Sequence, residues 1–429
     1  MGLGLGIMPK IMRAYDRLKG LLIYPFNKYI RFPREYNNQV RLAELVRHKD
    51  NISVLFVLTS LASWKTEGLY LEMSRHRRFS TFILITTALD ENALPELREY
   101  LNKKGYPFFE LENGKDIYSK IIPDIIFYEK PYDSYLSDEG LRFDHYHKSL
   151  YCYAYYSLHF TKEHSAVLLN THFQNIVYQD YFENINVATE VAKYMSNRGR
   201  NNVVTGLSFY DGFITFEKSK NKDPWKKQDR PKKRIIYAPH HTIEHKDDFL
   251  PYSTFLEYYD FMLEMAEKYK NKVQFAFKPH PVLKGKLYRI WGKERTDNYY
   301  KRWDEIENGQ LETGEYQSLF MFSDAMIHDS GAYRIEYHYT HNPVMYLTHN
   351  EEYSRKGLTE FGKKAFDLHY FGHNKTEIEQ FILNVINGTD PLRKDRLRFY
   401  NEYLLPPNGQ TATHNIINAI LGEGEYKNV

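Results

Sequence analysis

The sequence lacks the features that mark disulfide-bonded, secreted or membrane-spanning proteins. Its 429 residues include one cysteine, Cys152, so no disulfide can form within the chain, and a reducing cytosol fits this usage. No run of about 18 or more apolar residues exists, which argues against a transmembrane helix. The N-terminal stretch has no apolar core followed by a small-residue cleavage site, so secretion is not expected.

Excess charge of one sign is also missing. The chain has 58 Lys and Arg residues against 55 Asp and Glu residues, a formal net charge of +3. This balance does not call for a nucleic-acid partner. Basic residues do crowd the segment 217–233, which holds Pro224, Pro231 and a single aromatic residue, Trp225. We interpret it as a basic linker between two domains, because a nucleic-acid surface would interleave several stacking aromatics.

A second basic stretch opens the chain, in the segment 1–47. From Met1 to Arg34, seven Lys and Arg residues stand against one acid, Asp16, with apolar side chains between them. Such a basic amphipathic segment can lie on an anionic membrane surface. An ordinary helix that packs on the first domain explains the pattern equally well, and the sequence leaves both interpretations open.

From residue 48 onward, apolar runs of strand length alternate with segments of helix length. The runs lie at 52–60, 82–87, 107–111, 124–132, 166–172, 202–207, 234–239, 273–277, 323–328 and 343–348. Nearly continuous apolar runs indicate a parallel sheet covered on both faces. We predict an α/β fold of two doubly wound, Rossmann-like domains, 48–216 and 234–429, facing each other across a cleft. A C-terminal helix could return to the first domain, and no internal repeat is evident.

The most informative stretch is VQFAFKPHP, at 273–281. Its alternation predicts a buried strand that ends at Phe277, and Lys278 and His280 follow between Pro279 and Pro281. In open α/β sheets, ligands bind at the carboxyl ends of the strands. The two prolines fix the turn and leave the imidazole little entropy to lose on binding.

Two other predicted strands also end in polar residues. His240 and His241 follow the strand at 234–239, and Asp329 and Ser330 follow the strand at 323–328. The next segment has a helical pattern that begins at Gly331, and a helix N-terminus attracts anions. Together with Lys278, these groups suit a diphosphate, and a histidine there could act as general acid or base.

Each of these residues also has a simpler interpretation. Asp329 and Ser330 could only cap the helix. His240 and His241 could be loop histidines, and no acidic or cysteine residue stands at metal-ligand spacing beside them, so we predict no metal and no cofactor. The segment 205–212 has two glycines but no GxGxxG pattern, so dinucleotide binding is not supported.

The motifs resemble those of the CDP-glycerol glycerophosphotransferase family, which includes teichoic-acid primases and polymerases. The stretches that carry the resemblance are YAPHHTIE, KPHP, SDAMIHDSGAYRIEY and NPVMYL in the second domain, and IPDIIFYEKPY and VVTGLSFYD in the first. The resemblance implies a GT-B architecture, transfer without a metal, and a nucleotide-activated donor held mainly by the C-terminal domain.

The resemblance also implies roles for individual residues. His280 would contact the donor diphosphate and assist departure of the nucleotide. The phosphates would meet Asp329, Ser330, Gly331 and Ala332, and the ribose would meet Glu336. The family usually reads Asp-Tyr-Ser-Ser where this chain reads DSGA. The first-domain His-Gly motif, which supplies the base for the acceptor, is not visible. Four histidines remain candidates for that base: His145, His147, His159 and His172.

The expected function is transfer of glycerol phosphate, or a related polyol phosphate, from a CDP-activated donor to a hydroxyl of a lipid-linked glycan. Such an enzyme would be cytoplasmic and peripheral to the inner face of the cell membrane. A nucleotide-sugar-dependent glycosyltransferase for capsule or lipopolysaccharide is the alternative within the same architecture. A non-catalytic, membrane-associated scaffold that binds a nucleotide is the alternative of another class, because the His-Gly motif is missing.

Overall fold

A computed structural model describes residues 25–86, 93–110, 122–132, 136, 143, 148–162, 169–244, 253–314 and 316–426. The chain divides into two compact α/β units. The first consists of Met1–Tyr156, Glu163–Asp211 and Pro406–Val429, and the second consists of Ser157–Lys162 and Gly212–Leu405. None of the helices in the described part of the chain has the length and apolar content needed to cross a bilayer.

The first unit is built on a seven-stranded parallel sheet. Its strands are β1 (Ile52–Leu58), β2 (Phe79–Ile85), β3 (Phe108–Glu110), β4 (Ile125–Tyr128), β5 (Leu150–Ala154), β6 (Gln179–Phe182) and β7 (Asn202–Val204). Their spatial order is β3-β2-β1-β4-β5-β6-β7. The chain therefore builds outward from β1 on one side and then on the other, which is the doubly wound arrangement.

Helices cover this sheet. They are Phe32–Arg47, Glu67–Arg75, Ala93–Lys104, His172–Ile176, Ile185–Ala192 and Ala412–Leu421. The last of them carries Ile416 and Ile420 into the same core as β1. The sequence predicts one domain at 234–429, with a C-terminal helix that could return to the first domain. The structure assigns Pro406–Val429 to the first unit, because this helix buries its apolar face there.

The helix Phe32–Arg47 is part of the first unit's core. It buries Phe32, Ala43 and Val46. Its buried Gln39 donates from Nε2 to the carbonyl of Ser149 at 3.0 Å and accepts from the amide of Tyr151 at 2.8 Å. This half of the basic N-terminal segment therefore packs as an ordinary helix. Residues 1–24 lie outside the described residues.

The second unit repeats the plan with six parallel strands. They are β8 (Lys233–Ala238), β9 (Val273–Phe277), β10 (Gly309–Leu311), β11 (Ala325–His328), β12 (Val344–Leu347) and β13 (Tyr370–Gly372). Their order is β10-β9-β8-β11-β12-β13. The strand order reverses beside β8, so the crevice between the carboxyl ends of β8 and β11 is the position where open α/β sheets bind ligands.

Helices also cover the sheet of the second unit. Among the described residues they are Phe255–Lys268, Pro281–Trp291, Lys293–Glu305, Gln317–Met321, Tyr333–Glu336, Glu351–Arg355, Glu360–Phe366, Lys375–Asn387 and Arg393–Phe399, and the short helix Asp211–Ile214 leads from the first unit into the second. The sequence pattern indicates one helical stretch at 291–308. In the structure, the helix Lys293–Glu305 occupies that stretch, and a separate helix ends just before it at Trp291. Gly292 divides the two helices because its φ of 79° lies in the left-handed region.

In each unit, a carboxylate fixes the turn after the first strand, β1 or β8. That carboxylate directly follows the fourth strand along the chain, β4 or β11. In the first unit, Glu129 accepts from the amide of Thr59 at 2.8 Å and from the Thr59 hydroxyl at 2.6 Å. In the second unit, Asp329 accepts from the amide of His240 at 2.5 Å. Glu129 and Asp329 thus occupy equivalent positions and hold equivalent turns. The two units share this contact as well as their strand order.

The pKa of Glu129 gives the first testable prediction. Burial raises this pKa from 4.5 to about 7, against the opposing hydrogen bonds from Thr59 and Ser60. The folded state thus holds a proton that the unfolded state releases, and this contribution to the free energy of unfolding is lost as the pH rises from about 4.5 to about 7. We expect the loss to approach about 3 kcal/mol.

Glu129→Gln tests this expectation, because glutamine mimics the protonated carboxyl and does not titrate. Urea unfolding at pH 5 and pH 7 should show a larger decrease for the wild type than for the variant. Glu110→Gln is the control. Arg98 lowers the pKa of Glu110, so this exposed pair does not make the free energy of unfolding decrease as the pH rises. Equal pH dependence in the wild type and Glu129→Gln would contradict the assignment.

Candidate functional site

Three adjacent strand ends bring the predicted site residues to one edge of the second sheet. β8 lies between β9 and β11, with Tyr237 opposite Phe277 and Ala238 opposite His328. The residues that follow these strands therefore emerge side by side. The edge thus gathers the predicted residues His240, His241, Lys278, His280, Asp329 and Ser330.

Three histidines form a compact cluster at this edge. The ring centroids of His240 and His241 lie 4.3 Å apart, and the ring of His280 lies 4.8 Å from the first and 4.3 Å from the second. The backbone holds them in place, because the amide of His280 donates to the carbonyl of Pro239 at 3.0 Å. The KPHP turn is thereby fastened to the loop that carries the other two rings.

His280 also begins the helix Pro281–Trp291. Its Nδ1 accepts from the amide of Val282 at 3.2 Å, so the neutral ring carries its proton on Nε2. Burial, together with the nearby His241 and Lys286, lowers the pKa of His280 from 6.5 to about 4. At neutral pH this side chain is an uncharged hydrogen-bond donor.

The same three rings are the group that could hold a metal ion. One ring nitrogen from each lies within 4.8 Å of the others. Nitrogens that share a tetrahedral zinc ion stand about 3.4 Å apart, given Zn–N bonds of about 2.1 Å. The 4.8 Å limit exceeds this separation by about 1.4 Å, so the nitrogens at that limit would have to move closer together before they could share a zinc ion.

Lys278 supplies positive charge beside the histidines. Its side chain is buried, with Nζ donating to the carbonyl of Gly314 at 2.8 Å and lying 5.7 Å from the centre of the Tyr316 ring. Its amide donates to Tyr237, which continues the β8–β9 pairing. The ammonium group is therefore fixed at the edge of the sheet rather than extended into solvent.

Asp329 is a buried anchor for two loops. Its Oδ1 accepts from the amide of His240, and its Oδ2 accepts from the Ser253 hydroxyl at 2.9 Å, the Thr254 amide at 2.6 Å and the Thr254 hydroxyl at 3.1 Å. Burial raises the pKa of Asp329, and these hydrogen bonds oppose that shift. Its carboxylate thus contacts protein donors and holds the turn that carries His240.

The remaining phosphate-site candidates follow Asp329. Ser330 is buried, and its amide donates to Nδ1 of His328 at 3.1 Å. Gly331 is partly exposed and Ala332 is exposed, so this backbone is open to a ligand. Glu336 is buried at the end of the four-residue helix Tyr333–Glu336, and its predicted contact with a ribose stays a prediction.

One residue near the cluster does not stand out in the sequence. Lys286 is buried on the helix Pro281–Trp291, and its charge reaches the ring of His280. The sequence offers one signal for Lys286: it lies about two helical turns after the KPHP motif, in a segment where the pattern does not predict a helix. The same helix is tied to the β8 loop by an ion pair of 2.6 Å between Arg289 and Glu244.

The described candidates for the acceptor-side base belong to different units. His172 begins a helix of the first unit, where it pairs with Glu35 and stacks on Phe32 with ring centroids 5.3 Å apart. His159 is buried in Ser157–Lys162, which belongs to the second unit. His145 and His147 lie outside the described residues.

Several solved structures of other proteins have a similar fold. A variant of the wall teichoic acid polymerase TagF with CDPG is 11% identical at a TM-score of 0.58, over 96% of this chain and 97% of that chain. UDP-GlcNAc 2-epimerase from Neisseria meningitidis, bound to UDP-GlcNAc, is 15% identical at a TM-score of 0.52, over 87% and 100%. MnaA from S. aureus with UDP is 15% identical at a TM-score of 0.53, over 86% and 96%.

These likenesses confirm the predicted α/β fold of the GT-B type, with its two parallel sheets. Among curated protein sequences, none matches this chain. A family profile does match: CDP-Glycerol:Poly(glycerophosphate) glycerophosphotransferase aligns with residues 186–422, more than half of the chain. The match spans all three strand ends of the site, and it confirms the family recognised from the motifs. The chain belongs to the CDP-glycerol:poly(glycerophosphate) glycerophosphotransferase family.

Proposed function

We propose that this protein transfers glycerol phosphate, or a related polyol phosphate, from a CDP-activated donor to a hydroxyl group during synthesis of a cell-surface polymer. The observation that carries the proposal is the meeting of Lys278 and the histidine cluster at the switch point of the second sheet. Membership of the glycerophosphotransferase family and the TagF–CDPG structure support the donor class.

The proposed reaction is a displacement at phosphorus. The acceptor oxygen attacks the β-phosphorus of the CDP-polyol, the bond to the bridging oxygen breaks, and CMP leaves with that oxygen. The acceptor proton passes to a base on the acceptor side. The protein's contribution is positioning and charge stabilisation, since phosphoryl transfer needs little covalent help.

Two side chains would act on the departing nucleotide. The ammonium group of Lys278 lies where it would offset the negative charge that develops on the leaving phosphate. His280 presents a neutral imidazole with a proton on Nε2, which can donate a hydrogen bond to the bridging or non-bridging oxygens. The diphosphate would raise the pKa of this imidazole, because an adjacent anion stabilises the protonated ring.

A nucleotide sugar is the second candidate donor. The structures of MnaA with UDP and of UDP-GlcNAc 2-epimerase with UDP-GlcNAc have the same fold, so the architecture accommodates a uridine nucleotide in those proteins. The phosphate-binding groups of this chain would serve either donor. The two candidates differ in which nucleotide leaves and in the bond that breaks.

A panel of donors separates these candidates. Purified protein would be given CDP-glycerol, CDP-ribitol, UDP-GlcNAc and UDP-glucose, each with EDTA present, and nucleotide release would be measured. We expect CMP from a CDP-polyol, unaffected by EDTA. UDP release from a sugar donor alone would establish the second candidate. CDP binding without turnover of any donor would support a scaffold and contradict the proposal.

The acceptor is proposed to be lipid-linked, reached from the membrane surface. Before the helix Phe32–Arg47, exposed apolar side chains stand beside basic ones: Phe26, Tyr29 and Ile30 are 54%, 71% and 56% exposed. Aromatic and basic residues together favour the interface of an anionic bilayer.

Vesicle sedimentation tests the membrane proposal. The double substitution Tyr29→Glu and Ile30→Glu should reduce binding to phosphatidylglycerol vesicles by roughly tenfold or more, because each charge opposes insertion and repels the anionic surface. Leu45→Glu is the control, since Leu45 is exposed at the far end of the adjoining helix. Binding that is equal for all three proteins would exclude this segment as the membrane contact.

A further inference from the structure

Three buried histidines lie behind the candidate site, apart from the cluster at its edge. His328 is the last residue of β11, and its Nε2 stands 3.4 Å from Nε2 of His369. His369 directs Nδ1 to the carbonyl of Ala365 at 3.1 Å, and His338 directs Nε2 to the same carbonyl at 3.0 Å. All three side chains are buried.

The hydrogen bonds determine where each proton lies. The amide of Ser330 donates to Nδ1 of His328, so this nitrogen is an acceptor and the neutral ring carries its proton on Nε2. That proton faces Nε2 of His369, which must then accept. The proton of His369 consequently lies on Nδ1, where the Ala365 carbonyl accepts it. One arrangement of protons satisfies every contact in the series from Ser330 to Ala365.

The surroundings keep these rings neutral. Burial lowers the pKa of both His328 and His369 well below 6.5, and the guanidinium of Arg334 lowers both further. Arg334 itself lies 4.5 Å from the centre of the Tyr346 ring, beside His328. Each ring is therefore neutral near pH 7 and carries its single proton on either Nδ1 or Nε2.

We propose that His369 and His328 form a positioning relay for the turn that would hold the donor diphosphate. His369 holds the ring of His328 by accepting its Nε2 proton, and His328 in turn sets the direction of the Ser330 amide. That amide points into the protein, which leaves the following backbone of Gly331 and Ala332 as the part presented to a ligand. The inference rests on the proposed function for the identity of the ligand, but not for the relay itself.

Removal of the acceptor at His369 should break the relay. Without it, the buried Nε2 proton of His328 would have no partner, whereas a proton on Nδ1 would face the Ser330 amide, donor against donor, and leave two donors unpaired. His328 would therefore keep its proton on Nε2, and its ring would have to move toward another acceptor, which would disturb the Nδ1 contact that holds the Ser330 amide. A buried donor without a partner is costly, so the movement follows even though neither histidine touches the donor.

Matched pairs of variants test the relay. His369→Leu removes the acceptor, whereas His369→Gln retains one in a similar position. His328→Leu removes the acceptor for Ser330, whereas His328→Asn retains an oxygen near the place of Nδ1. We expect the two leucine variants to raise KM for the CDP-polyol roughly tenfold, with the polar variants close to the wild type. Comparable thermal unfolding within each pair shows that folding is not the cause.

Nitrogen chemical shifts of the His328 ring and of the Ser330 amide provide a readout independent of activity. His328 should carry its proton on Nε2 in the wild type and in His369→Leu, and the Ser330 amide shift should change in His369→Leu but not in His369→Gln. An unchanged Ser330 amide shift in His369→Leu, or a His328→Asn variant as impaired as His328→Leu, would overturn the relay. Failure of the wild type to turn over any CDP-polyol would defeat the proposed function and leave the chemical-shift result to stand by itself.

Discussion

Replacement of His280 by alanine is expected to reduce CMP release from a CDP-polyol by about 10²- to 10³-fold, the usual effect of losing one acid or charge-stabilising donor. The imidazole lies within the histidine cluster, on a turn fixed by prolines, with its proton on Nε2. Loss of this donor should reduce kcat more than it raises KM, because the hydrogen bond strengthens as charge develops on the leaving phosphate.

A second substitution separates chemistry from helix capping. His280 also caps the helix Pro281–Trp291 through Nδ1, and alanine would remove that bond as well. Asparagine is a good capping residue but has no imidazole, so His280→Asn should be stable and as inactive as alanine. An asparagine variant with near wild-type kcat would show that His280 is only a cap.

Asp329→Ala is expected to have the largest effect on stability, a loss of about 3 kcal/mol or more. Its carboxylate accepts four hydrogen bonds, from His240, Ser253 and twice from Thr254, and the buried amides among these donors would be left without a partner. The turn that carries His240 would lose its anchor. Urea unfolding measures the stability, and hydrogen exchange at the start of the helix Phe255–Lys268 localises the loss.

Two controls accompany this prediction. Asp329→Asn keeps one accepting oxygen but introduces an NH2 group toward the donors, so it should be destabilised to an intermediate degree. Ser330→Ala changes the neighbouring side chain while the Ser330 amide keeps its bond to His328, so it should unfold like the wild type. An Asp329→Ala protein with wild-type stability would contradict the anchoring role.

The sequence allowed the strand ends of the second sheet to be predicted. β9 matches its predicted range, Val273–Phe277, and β8 and β11 begin and end within a few residues of theirs. These central strands are buried on both faces, so their apolar runs are continuous and their ends are marked by polar residues or proline. The meeting of the three ends was predictable because the carboxyl ends of neighbouring parallel strands lie at the same edge of the sheet.

Peripheral elements were not visible in the same way. β10 and β13 have three residues each, and their burial is incomplete. Such short strands have too few residues for a pattern to develop, and their pairing is decided by the neighbouring strand. The equivalence of Glu129 and Asp329 was not predictable for a related reason, because equivalent positions in the two units carry different residues and no repeat appears in the sequence.

The role of Asp329 could not be read from the sequence either. A carboxylate at the start of a helix predicts a cap or a phosphate-site residue, and nothing in the sequence connects it with His240 and Thr254, which lie far away along the chain. These donors come together only in the folded structure, so local sequence patterns carry no information about their contact with Asp329. The buried histidines His328 and His369 were overlooked for the same reason.

The measurement that tests the central claim most directly is phosphorus NMR of the products. Purified protein would be incubated with CDP-glycerol and a lipid-linked glycan acceptor, beside a parallel sample with UDP-GlcNAc. We predict that the CDP-glycerol signals give way to CMP and one new phosphodiester in equal amounts, and that UDP-GlcNAc stays intact. Intact CDP-glycerol together with UDP formed from UDP-GlcNAc would contradict the account and identify a glycosyltransferase.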